Sequence, residues 1–142
     1  MKKLLLISTI LFTYCSTADL YGDVNLGGNL YFIVDPSFNS VNFATGPKND
    51  PMRAALPIIK NIEFIGFNDT CILVVSKTAD KQFYWAIDKR IDTKLLNLPD
   101  DSISKISNLK CLSDSSEFNN LKLQTKIELV SKTVYRKKLN YE

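Results

Sequence analysis

The sequence has 142 residues, 45% of them hydrophobic and 23% charged, with no His and a formal net charge of +3. A chain of this length is expected to form one domain with its own core. The missing imidazole excludes His-based triads and most zinc sites, and so small a charge gives no general attraction for nucleic acid.

Met1-Lys2-Lys3, the apolar run Leu4–Tyr14 and Ser16-Thr17-Ala18 have the order of an export leader: charged start, short apolar region, small residues for cleavage. The run is too short to span a bilayer, which takes about 20 residues. Two processing routes are open. Cleavage after Ala18 makes 1–18 a signal peptide and leaves 19–142 as a single α+β domain. Alternatively Cys15, which ends the apolar run, carries a lipid anchor, although Tyr14 is bulkier than the residue such signals prefer. Without Lys2 and Lys3 the 18 basic residues fall to 16 against 15 acidic ones, so the apparent basicity belongs mostly to the leader.

From Asp23 to Ala44, Gly27-Gly28 permits a bend, and Asn29–Val34 reads as a strand stopped by Asp35-Pro36. Val41–Ala44 returns beside it. The glycine pair lacks the following Lys-Ser/Thr of a phosphate loop. Thr45–Pro57, with three of the five prolines, reads as a surface connection of the kind that carries binding function.

Asn61–Lys89 is the best-defined stretch: three apolar runs separated by Asn68-Asp69 and Ala79-Asp80, an antiparallel meander. Cys71–Val75 is continuously apolar and belongs mid-sheet. Gln82–Asp88 alternates, with Phe83, Trp85 and Ile87 facing inward and Tyr84 outward. Cys71 and Cys111 are expected to form a disulfide in an oxidising compartment, worth about 4 kcal/mol on chain-entropy grounds; two separate buried thiols are the alternative.

Beyond Asp88 the chain is polar and broken at Pro99, with a turn or two of helix expected over Ser102–Leu109. Asp114-Ser115-Ser116-Glu117 reads as a helix start. Residues 121–130 fit a helical stripe and a strand alternation equally. Helix-forming residues favour a helix from about Ser115 to Val130. The expected fold is α+β: a mostly antiparallel sheet of about five strands from Asn29 to Asp88, with a C-terminal helix on one face.

Two pieces of sequence, Leu26-Gly27-Gly28-Asn29-Leu30-Tyr31 and Tyr84-Trp85-Ala86-Ile87-Asp88-Lys89, behind a leader ending near a cysteine, resemble an uncharacterised family of small bacterial envelope proteins. The family, often lipoproteins, is catalogued as a domain of unknown function (the 3997 family). The resemblance covers roughly Asp23 to Lys89 and implies an envelope location, with no activity or catalytic residues to transfer.

No catalytic, metal or cofactor-binding residues are expected. Asp88 and Asp92 flank Lys89-Arg90, and Asp100-Asp101 follow Pro99, but acids at turns ordinarily solvate loops. Asp100 and Asp101 lack the spacing of a calcium loop. Tyr31 and Tyr84 are the candidate partner surface, because tyrosine pairs a flat apolar body with a polar tip. The tail around Tyr135, with Lys132, Arg136, Lys137 and Lys138, is suited to anionic lipid headgroups or an acidic partner. The expectation is an exported, non-catalytic envelope protein that acts by binding an unknown protein partner, as an inhibitor or immunity-type factor does. An accessory lipoprotein held at the membrane through Cys15 is the alternative, and a carboxylate hydrolase the third reading.

Overall fold

A computed structural model describes residues 23–45, 55–97 and 106–141. The leader, Cys15, Asp100, Asp101 and most of the Thr45–Pro57 connection lie outside these residues. The fold is α+β and mostly antiparallel, as expected, but its strands form two sheets instead of one five-stranded meander.

The first sheet has the order β1 (Val24–Gly27), β2 (Leu30–Ile33), β3 (Ser40–Ala44) and β4 (Ala55–Lys60). β1 and β2 form a hairpin around Gly28 (φ 62°) and Asn29 (φ 64°), left-handed conformations that suit a tight two-residue turn. Ala55, Leu56 and Pro57, read from sequence as loop, begin β4. This strand lies at the sheet edge, where a proline removes no central ladder bond.

The second sheet has the order β8 (Leu109–Leu112), β7 (Lys81–Asp88), β6 (Cys71–Thr78), β5 (Ile62–Phe67) and β9 (Val130–Ser131). The expected meander is β5–β6–β7. Asn61, at φ 56°, turns the chain from β4 in one sheet directly into β5 in the other. The inner faces of the sheets enclose a common core that includes Leu30, Phe32, Val41, Ile59, Ile65, Ile72, Val74, Trp85 and Ile87.

The second sheet's outer face is also covered. Helix α1 (Ser115–Thr125) starts at Asp114, whose carboxylate accepts from the Glu117 amide at 2.9 Å, and ends at Lys126 in the left-handed region (φ 53°). Its Phe118 closes a second core with Cys71, Leu73, Val75, Ala86, Leu112 and Ile127. β7 therefore has two covered faces, not the single buried face its alternation predicts. The Ser115–Val130 helix also stops early: after Lys126 the chain crosses β5 in extended form and pairs as β9. Helix α2 (Lys132–Lys138) follows, with Tyr135 edge-on to Phe32 at 5.5 Å.

The expected Cys71–Cys111 disulfide is absent, and both thiols are free. Register explains this. Cys71 pairs with Asp88 on one side of β7, and Cys111 pairs with Trp85 on the other. Asp88 and Trp85 are an odd number of residues apart, so the two cysteines project from opposite faces of the sheet. Two strand spacings also separate their backbones by about 10 Å, beyond the roughly 7 Å Cα limit for a bridge. Alkylation of the native protein is expected to label exposed Cys111 at least about tenfold faster than buried Cys71, with peptide mapping separating both from Cys15.

Candidate cleft between the second sheet and helix α1

A cleft of about 710 Å³ lies between the outer face of the second sheet and α1. Its walls come from the β5–β6 turn (Asn68, Thr70), the end of β7 (Asp88, Arg90), Asn108 and Lys110 beside β8, and α1 (Glu117, Asn120, Gln124). Cys71, Ala86, Leu112 and Leu121 form its apolar floor.

Asn68 fixes one end. Its side-chain carbonyl accepts from the Thr70 and Cys71 amides, both at 2.9 Å, and its amide donates to the Thr125 carbonyl at 3.0 Å. One residue thus shapes the β5–β6 turn and holds the last turn of α1. Asn108 fixes the other end, donating to the carbonyl of Asp88 at 2.8 Å and to Thr93 Oγ1 at 3.1 Å.

Ion pairs line the walls. Arg90 grips Asp88 through two bonds, Nε to Oδ1 at 2.9 Å and the second nitrogen to Oδ2 at 2.6 Å. Lys110 Nζ meets Glu117 Oε1 at 2.6 Å. The hydrogen bond from Arg90 holds the Asp88 carboxyl below its ordinary range, and that from Lys110 does the same for Glu117. Burial, reinforced by the Asp88 charge, pushes the Cys71 thiol up and keeps it neutral. The cationic partners are open to solvent, with side-chain exposures of 72% for Arg90 and 66% for Lys110. Exposed pairs of this kind stabilise a fold by only about 0–1 kcal/mol, so they exchange readily for charges on another molecule.

The expected partner residues do not form this site. Tyr31 is buried in the first sheet, and Tyr84 is half-buried with its ring 5.1 Å from Phe118. Helix α1 covers the strand face on which Tyr84 was expected to stand free. Asp92 is exposed in the turn after β7, where its carbonyl accepts from Ser107 Oγ. Of the acids considered in sequence, Asp88 lines the cleft; Lys110, Glu117, Asn68 and Asn108 were not foreseen. The polar linkage of Asn68 to the turn was partly readable, since Asn68-Asp69 marks a turn by side-chain bonding.

The two pieces of sequence behind the family resemblance meet on the opposite side of β7's end. Lys89 Nζ donates to the Leu26 carbonyl at 2.7 Å and lies 5.6 Å from the centre of the Phe67 ring. A methyl group on Gly27 would stand 3.2 Å from the same nitrogen, and Gly27 has φ 84°. The Gly-Gly turn and the Asp88-Lys89 strand end therefore form one structural joint between the sheets. No family model, curated protein or solved structure matches this chain.

Proposed function

We propose that this chain is an exported, non-catalytic binding protein of the cell envelope that takes a charged, polar segment of a partner protein into the cleft beside α1. The observation that carries the reading is the cleft's chemistry. Both signs of charge stand on its walls in exchangeable pairs, next to amide side chains that donate and accept. Carboxylates held in their ionised form are poor general acids, and a neutral buried thiol is a poor nucleophile, so the same walls suit recognition better than hydrolysis. The leader-like start and the resemblance to small envelope proteins support the location.

The test is quantitative. A protein retained from envelope extract on the immobilised chain is purified and remixed with wild type and with Arg90→Glu/Lys110→Glu in a calorimeter. The double reversal is expected to weaken binding at least about tenfold, since charge-assisted hydrogen bonds are worth about 1.5–3 kcal/mol when buried by a partner. Equal affinity for the two chains sinks the proposal.

A further inference from the structure

We infer that the end of the molecule formed by α2 and the turn at residues 35–39 lies against an anionic membrane surface. The inference rests on the envelope location proposed above but uses a different face of the protein. Three observations converge on this end.

The first is amphipathic. Lys132, Tyr135 and Arg136 turn one side of α2 inward: Lys132 pairs with Glu63 at 2.7 Å, Tyr135 packs on Phe32, and Arg136 Nε donates to the Val34 carbonyl at 3.2 Å. The opposite side therefore presents Val134, Lys137 and Lys138 together, one helical turn apart. Val134 is 42% exposed, and Leu139 just beyond is 40% exposed. Basic side chains mixed with exposed apolar ones are the composition of a face that rests in lipid headgroups.

The second is Phe38, 68% exposed on the turn between β2 and β3. This turn is braced on both sides. Asp35 accepts from the amides of Ser37, Phe38 and Asn39, and the Asn39 side chain donates to the Ile62 carbonyl at 2.9 Å. Ile62 precedes Glu63, the partner of Lys132, and Val34 holds Arg136, so the turn and α2 are neighbours. The phenyl ring is thus exposed on a turn fixed to the same residues that hold α2. The acids of this end are already committed to hydrogen bonds: Asp23 to the Val34 amide and Tyr141, Asp35 within its turn, and Glu63 to Lys132.

The third is where the chain enters the fold. Asp23 Oδ1 accepts from the Tyr141 hydroxyl at 2.6 Å, a bond that pushes the phenol up to about 12 and ties the start of β1 to the residues after α2. From Cys15 to Asp23 a fully extended chain reaches at most about 28 Å. A lipid on Cys15 would thus keep this end of the molecule within that distance of the bilayer.

The test uses the full chain and vesicles of phosphatidylglycerol mixed with phosphatidylethanolamine, against phosphatidylcholine alone. Each lysine near an anionic surface contributes about a fivefold gain in partitioning. Lys137→Gln/Lys138→Gln is therefore expected to lower partitioning into the anionic vesicles about 25-fold and to leave the phosphatidylcholine background unchanged. Phe38→Ser is expected to cost about tenfold, and hydrogen exchange to show vesicle protection confined to α2 and the 35–39 turn. All three positions are exposed, so circular dichroism will match wild type. Unchanged partitioning of the lysine variant, which is what insertion by the leader alone gives, overturns the inference. So does protection located elsewhere. Arg90→Glu/Lys110→Glu should bind vesicles like wild type, so failure of the cleft proposal remains distinguishable from failure of this one.

Discussion

Gly66→Ala is expected to lower the free energy of unfolding by about 3 kcal/mol, read as a lower urea midpoint with an unchanged slope. The cause is space, not backbone conformation. A Cβ at Gly66 would lie 2.3 Å from the Glu128 carbonyl oxygen and 2.6 Å from Ile127 Cγ2. The nearer atom is main chain, and that main chain is held on both sides. Ile127 is buried in the second core, and Val130 pairs with Ile65. Relieving the clash means lifting the 127–131 crossing off β5, which exposes Ile127 and breaks the β9 pairing. Adding Ile127→Val removes only Cδ1 and leaves both the Cγ2 contact and the carbonyl collision, so the double variant is expected to recover nothing. A neutral Gly66→Ala would mean that the crossing is not seated on β5.

Phe118→Ala is expected to cost more, about 4 kcal/mol, a large part of the roughly 5–15 kcal/mol that a domain of this size commands. Phe118 is the one buried residue of α1, at 2% exposure, and it joins Tyr84, Leu112 and Ile127 into the second core. An isolated helix of this length is not stable in water, so losing that anchor loosens the whole element and with it one wall of the cleft. Calorimetric melting measures the loss. Cys71 gives an independent readout, because it shares that core and should alkylate much faster in the variant. Leu123→Ala, on the solvent side of the same helix at 72% exposure, is expected to stay within about 0.5 kcal/mol of wild type.

The legible parts of the fold were those with a strong period over several residues. Cys71–Val75 and Gln82–Asp88 announce β6 and β7 because continuous and alternating apolar runs have no competing interpretation at that length. The short strands carry no such signal. Leu109-Lys110-Cys111-Leu112 is too brief to show a period, and the Val130-Ser131 pair is a strand only because β5 is beside it. Residues 121–130 looked equally like helix and strand, and the molecule uses both, dividing them at Lys126.

The cleft was the least legible feature. Its residues come from separate turns and strand ends that approach one another only once the second sheet and α1 have packed. Lys110 and Glu117 are seven residues apart, and nothing in that spacing announces a pair. The cysteine expectation failed for a related reason: composition says how many thiols there are, while register decides which side each one faces.

The direct passage from β4 into β5 at Asn61 also divides the chain by order of synthesis. Everything in the first sheet lies at or before Lys60, and the β5–β6–β7 meander that supplies most of the facing side chains runs to Asp88. At roughly 5–20 residues per second, the nascent chain carries Leu30, Phe32, Val41 and Ile59 uncovered for about 1–6 s before β7 is complete. Those seconds, and their equivalent during any passage across a membrane, are when a holding chaperone has its opportunity and when a stalled chain is most prone to aggregate.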